Sequence, residues 1–306
     1  FVRGAVVENE NTPEEILKRL AKDEDPVIRG KVAGIRNTPA EILEKLAKDM
    51  NAVVRKRVAS NENTPEEILK ELANDKSGLV RDQVAGNKNS PSEILEKLAK
   101  DKDVVVKRAV AKNEKTTEEI LKLLAKDEDT NVRGHVAYNE NTPEEILSLL
   151  AEDADSAFVR GRVAENKNAA KEILKKLAKD KNVYVLGAVA KHENTSEKIL
   201  KRLAEDKAAE VRLAVADNKN TPIEILKVLA MDEDLDVRLL IAKDDNTAQE
   251  ILRILVADGH QQVRKAVAAN PSTPFKTIKR LAVDKISDVR MKAISSIIHR
   301  TKSEWE

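Results

Sequence analysis

The chain contains no cysteine. Disulfides, thiolate zinc sites, iron–sulfur clusters and cysteine nucleophiles are therefore excluded together. Aromatic residues make up only 2% of the 306 residues, too few to fill the core of an ordinary domain of this size. Neither sign of charge dominates, since 55 Lys and Arg face 54 Asp and Glu for a formal net charge of +1. A strongly basic chain would point to nucleic acid or an anionic membrane, and this balance does not. No apolar run approaches the length of a membrane span and no signal-peptide pattern opens the chain. A cytoplasmic protein without membrane contact is expected.

What is present is 36% charged residues and a supply of Leu, Ile, Val and Ala. Such a chain folds by stacking many thin cores in a row. The required self-similarity is there. Thr12-Pro13-Glu14-Glu15-Ile16-Leu17 recurs 26 residues later from Thr38 and again from Thr64. The series continues at Ser90, Thr116, Thr142, Ala169, Thr195, Thr221, Thr247 and Thr273, eleven copies in all. One extra residue enters between Asp153 and Val159.

Each copy reads as two helices. The first is expected to open with a capping box, with Thr12 as N-cap, Pro13 at the first helical position and Glu15 three residues after the cap. Ile16, Leu17, Leu20 and Ala21 then form one apolar stripe. After the polar link Glu24-Asp25-Pro26, a second and shorter segment carries Val27, Ile28, Val32 and Ala33. The expected fold is an all-α solenoid forming one domain over residues 1–306. It has a mid-repeat start at 1–11, eleven repeats over about 12–290, and a closing helix and tail at 291–306. The start at Phe1-Val2 leaves one face of the stack uncovered, so self-association through that end is an expectation.

Three columns run along the repeats. An aspartate closes every first helix, from Asp23 and Asp49 to Asp284. A basic residue follows the valine of the second segment, from Arg3, Arg29 and Arg55 to Arg290, with Leu186 the exception. An asparagine ends that segment at Asn9, Asn61, Asn87, Asn113, Asn139, Asn166, Asn218 and Asn270, while Ile35, His192 and Asp244 break the series. One reading makes these columns a charge-reading ligand stripe. The other pairs Asp with Arg between adjacent turns and has Asn cap each corner. A residue needed in every turn is most simply explained by the stacking itself.

The run Val263-Arg264-Lys265-Ala266-Val267-Ala268-Ala269-Asn270-Pro271-Ser272-Thr273-Pro274, with Leu281-Ala282-Val283-Asp284 behind it, resembles the leucine-rich repeat variant (LRV) family. The resemblance covers essentially the whole chain. It implies a right-handed superhelix of alternating α-helices and short 3₁₀ helices, distantly related to HEAT and armadillo solenoids. The second helix is expected to be short and either α or 3₁₀, and because the repeat here is slightly longer than is typical, it is expected to be more α-helical than the family pattern. The cysteine-rich iron–sulfur module attached to one known member is absent, and the family carries no generally established activity.

No catalytic constellation emerges. His135, His192, His260 and His299 occupy different positions of different repeats without metal-ligand spacing, and read as scattered polar surface residues. The carboxylates belong to caps and links, and no Gly-rich phosphate loop is present. No enzyme, cofactor or metal is expected. Function is sought instead in columns that vary between repeats. Lys31, Lys56, Arg57, Gln83, Arg108, His135 and Arg162 mark a mixed, locally basic groove along the second segments, with Tyr138 as an anchor. A solvated polar face is the bland alternative. A second candidate is apolar: Leu123, Leu149, Val228 and Ile254 on first helices, with Leu213, Leu239 and Leu240 on second ones. The leading expectation is a non-catalytic scaffold for a protein or peptide. The alternatives are a HEAT-like nucleic-acid binder using the basic groove and an engineered repeat protein with no natural partner.

Overall fold

The structure, a computed structural model, describes residues 12–302. The readings placed on Phe1, Val2, Arg3, Gly4 and Asn9 lie outside them. Among the described residues there are 22 helices and no strand. They fall into two compact units, Phe1–Asn168 and Ala169–Glu306. The division lies where the sequence breaks its own rule, next to the extra residue and to Ala169 in the threonine column.

The first unit holds α1 (Glu14–Leu20), α2 (Pro26–Gly34), α3 (Ala40–Ala47), α4 (Ala52–Ser60), α5 (Glu66–Leu72), α6 (Gly78–Gly86), α7 (Ser92–Leu98), α8 (Val104–Lys112), α9 (Glu118–Leu124), α10 (Thr130–Tyr138), α11 (Glu144–Leu150) and α12 (Ala157–Glu165). The second holds α13 (Lys171–Leu177), α14 (Val183–Lys191), α15 (Glu197–Leu203), α16 (Ala209–Asp217), α17 (Ile223–Leu229), α18 (Leu235–Lys243), α19 (Gln249–Leu255), α20 (Gln261–Ala269), α21 (Phe275–Leu281) and α22 (Ser287–Lys302). Each unit is an α-solenoid of tandem helix pairs. Its even helices stack directly on one another, more closely than the odd ones do. The core lies between the two layers, where columns such as Val54, Val58, Ala59 and Leu43, Leu69, Leu95 are fully buried.

Two local expectations need correction. The second helix, expected as α or 3₁₀, is α, but it is the longer of the two and not the shorter: α4 has nine residues where α3 has eight and α5 seven. Its length comes from caps at both ends. Asn51 accepts a hydrogen bond from the Val53 N–H, as Asp25, Asp103 and Asp129 do in their own repeats, and the chain then stays helical until the corner asparagine. The threonine, moreover, is not an N-cap. Pro39, with φ −55° and ψ 144°, occupies that position with no side-chain cap, and the buried Thr38 hydroxyl donates instead to the Val32 carbonyl at 2.6 Å. The hydroxyl therefore ties the start of one helix to the end of the preceding one. Thr64, Thr116, Thr142, Thr221 and Thr273 repeat the bond.

The three columns are the junctions of the stack. Arg81 donates from Nε and Nη2 to both oxygens of Asp101 in the next repeat at 2.6 and 2.9 Å, and from Nη1 to the Asp75 carbonyl of its own repeat at 2.7 Å. Asp101 also accepts the Asp103 N–H at 2.8 Å, which turns the chain into the next even helix. Burial pushes the Asp101 carboxyl up, but the Arg81 guanidinium and the Asp103 amide outweigh it and hold it below the ordinary aspartate value. The pairs Arg29–Asp49, Arg133–Asp153, Arg212–Asp232, Arg238–Asp258 and Arg264–Asp284 join successive repeats through the same contact, and Lys107–Asp127 replaces one guanidinium with an ammonium. At Leu186 the cation is missing, and Asp206 keeps its bond from the Ala208 N–H.

Asparagine makes the second junction. The Asn87 amide donates to the Ala59 and Asn61 carbonyls of the preceding repeat at 2.8 and 2.9 Å, while its oxygen accepts the Asn89 N–H at 2.8 Å. His192, buried in the same column, takes over the accepting half by receiving the Asn194 N–H on Nδ1 at 3.0 Å. It is a corner residue, not the surface residue expected from its isolation. His260 caps α20 through Nδ1 in the same accepting role. In α22, Ser296 stands in the asparagine column and donates to the Ala268 carbonyl, while Arg300 covers the Thr273, Asn270 and Pro271 carbonyls.

Removing one junction partner leaves the other buried and unmatched. Asp101→Ala should lower stability by about 3 kcal/mol, and Asn113→Ala by about 2 kcal/mol, read as shifts in the urea midpoint by circular dichroism. An Asp101→Ala midpoint equal to wild type would refute the junction assignment. The pH dependence has a definite sign. The lowered Asp49, Asp75, Asp101, Asp232 and Asp284 values contribute stability that is present above the ordinary 3.8 and lost as pH falls through the folded-state values.

Candidate binding face of the even helices

A nine-residue helix that buries positions such as Ile28, Val32 and Ala33 turns the stripe Val27, Lys31 and Gly34 outward, because residues four apart share a face. Repetition makes rows of these positions. Val27, Val53, Leu79 and Val105 are 61, 58, 58 and 40% exposed, so they form an apolar row along α2, α4, α6 and α8 rather than part of the core as expected for Val27. Beside it runs the row Lys31, Arg57, Gln83, Ala109, His135 and Arg162, with Lys56, Arg108 and Lys112 at its flanks.

The candidate residues separate into two groups within the first unit. Lys31 and Arg57 line a groove of about 710 Å³ between α2 and α4, floored by Gly30 and Gly34 and edged by Val27 and Val53. Gln83, Arg108 and His135 line a second groove of about 390 Å³ with Asp82, Gly86, Val105 and Lys112. Lys56, half-buried on α4, lines neither. Adjoining the second groove, the Arg162 guanidinium lies 4.3 Å from the Tyr138 ring centroid and 5.4 Å from that of Phe158. Phe158 reaches this place because Gly134 has no side chain: a Cβ there would stand 2.3 Å from the ring. Lys112 and the apolar row were not singled out from sequence. The helical wheel carries their signal, since Val105, Arg108 and Lys112 are spaced three and four apart.

The electrostatics of the second groove are one-sided. Burial, then the positive fields of Lys112, Arg162 and Arg108, push the half-buried His135 imidazole down to about 4, against a small opposing pull from Asp129. The ring is neutral at pH 7. The Nε atoms of Arg108 and Arg162 are buried and have no hydrogen-bond partner among the described residues. Two acids lie on this face, and both are engaged. Glu165 accepts from Arg162 at 2.7 Å, and Asp82 accepts from Gln83 at 2.9 Å.

In the second unit the equivalent positions are Gly187, Leu213, Leu239, Lys265 and Met291 in one column and Ala188, Ala214, Leu240, Ala266 and Lys292 in the other, apolar except for the two lysines near the end. On the odd helices Leu123, Leu149 and Val228 are exposed and Ile254 is half-buried. Among the described residues no group of His, Asp or Glu is placed to hold a metal ion, and no helix is long and apolar enough to cross a membrane.

Residues 209–234 match the model of the family described as leucine rich repeat variant. They span one 26-residue period, from the start of α16 to Asp234, the residue before α18. A solved structure of a leucine-rich repeat variant with a novel repetitive structural motif shares 27% identity, covering 78% of this chain and 84% of that one with a TM-score of 0.46. The structure of YibA from Escherichia coli shares 16% identity over 96% and 94% of the two chains with a TM-score of 0.31. No curated protein matches the chain.

Because the folded His135 titrates below its ordinary value of 6.5, the unfolded chain takes up the proton first. His135 should therefore subtract stability as pH falls from 6.5 towards 4, and should have no effect above 6.5. His135→Gln should flatten the stability profile in that window. Denaturation midpoints across the window that are identical in the two proteins would contradict the placement of His135 among three cations.

Proposed function

We propose that the protein is a non-catalytic scaffold that binds a protein or peptide partner along the even-helix face of the first unit. The observation that carries this reading is the exposed apolar row Val27, Val53, Leu79 and Val105 running beside the cationic row of Lys31, Arg57, Arg108 and Arg162. Protein surfaces bring apolar and charged groups together in one contact, the apolar part supplying burial and the charged part orientation. The repeated junctions fix the spacing of these rows and leave the outward positions free to differ from turn to turn.

The cations also motivate a nucleic-acid reading, which the local surface favours less. A phosphodiester backbone makes no use of the apolar row. One face of Tyr138 is taken by Arg162 and Phe158 is half-buried, so unpaired bases find no ladder of open rings.

A photo-crosslinking amino acid placed at Ala109 on the even face, and separately at Glu96 on the odd face, distinguishes the readings. Nuclease-insensitive protein adducts from position 109 and not from position 96 are expected in lysate of the source cells. Equal labelling from both positions, or none from either, would sink the scaffold reading of this face.

A further inference from the structure

The second groove has a chemistry more specific than a general docking surface. Arg108, Lys112 and Arg162 converge on His135 from α8 and α12, and these three are the cations whose fields reach the ring. The Nε donors of Arg108 and Arg162 are buried without acceptors, while the side chains that carry them stay partly exposed, that of Arg162 at 26%. Glu165 pairs with Arg162, and Asp82 keeps its charge while accepting from Gln83, so the three cations outnumber these two acids by one. An incoming carboxylate meets the exposed parts of two guanidinium groups, an ammonium and a neutral imidazole able to donate.

We propose that α8, α10 and α12 form a seat for an acidic stretch of a partner protein, whose carboxylates enter among Arg108, Lys112, His135 and Arg162 while its apolar side chains lie along Val105, Leu79 and Val53. This rests on the scaffold reading and gives the partner its chemistry. The geometry suits a peptide. Stacked helices lie about 8–10 Å apart, and one three-residue turn of a polyproline II strand spans about 9 Å and returns to the same face, so acidic residues recurring every third position meet successive even helices. Where the peptide continues past α8, its apolar residues meet Leu79 and Val53. The Tyr138–Arg162 stack holds one guanidinium in place before the ligand arrives, which reduces the ordering required on binding.

The test uses the full chain and a fluorescent peptide of repeating Glu-Glu-Leu, with the Gln-Gln-Leu peptide and a single-stranded DNA oligonucleotide as the other arms. The acidic peptide should bind and should raise the His135 titration measured by NMR, because a seated carboxylate offsets the field of the cations. The neutral peptide should not bind. Arg108→Gln with Arg162→Gln should weaken binding by about tenfold, a loss of about 1.4 kcal/mol. Lys112→Gln should weaken it less, and circular dichroism should show both proteins folded. If the double variant unfolds, Lys112→Glu supplies the charge test.

Equal binding of the two peptides, or binding unchanged in the charge variants, would overturn the proposal. So would displacement of the acidic peptide by a lower concentration of the oligonucleotide. Failure here together with face-specific crosslinking from position 109 would remove the acidic partner alone. Failure of both would remove the scaffold reading as well.

Discussion

All the described helices but the last are too short to stand alone. Seven to nine residues are marginal even for a good helix former in water, because nucleation costs more than so few hydrogen bonds return. Stability must come from the contact between repeats, and the backbone groups at each helix end must be matched there. The Arg–Asp pair and the asparagine corner meet that constraint together. One guanidinium joins the carbonyl of its own repeat to the carboxylate of the next, and one amide spans two carbonyls of the repeat before. The buried ion pair is affordable because the carboxylate is also held by a backbone amide, so neither charge is left short of partners.

That division of labour shapes where function can reside. Residues at the junctions are committed in every turn, and a ligand would have to break them to use them. The outward positions of the even helices carry no such duty. Accordingly they differ between the units: Val27, Val53, Leu79 and Val105 give way to Tyr184, Glu210, Asp236 and Gln262, and Lys56 and Arg57 to Leu213 and Ala214, while the junction residues hardly change. Leu186 is the exception that shows the tolerance. One missing guanidinium leaves Asp206 with its amide bond, and α14 and α16 remain regular helices.

Much of this was legible in one sequence because the repeat reports on itself. Two columns of complementary charge, 20 residues apart along the chain, were most simply explained by contact between adjacent turns, and Arg29–Asp49 and its counterparts are that contact. The asparagine column was likewise readable as a corner. Less legible was the threonine. Thr-Pro-x-Glu has the form of a capping box, and nothing local distinguishes a hydroxyl that caps the helix ahead from one that reaches back six residues to a carbonyl. Its burial beneath the preceding helix decides the matter.

By itself, then, the sequence determined the period, the helix pairs and the Arg–Asp and asparagine junctions, since each depends on spacing repeated along the chain. The tertiary structure alone decided which side of each nine-residue helix faces outward. A short helix with valines at neighbouring positions, such as Val53 and Val54, has no unique apolar face until its neighbours are packed against it. Packing buried Val54 and left Val53 in the open. The same step brought Arg108, Lys112 and Arg162 around His135, which are up to 54 residues apart in the chain and become neighbours only because the even helices stack.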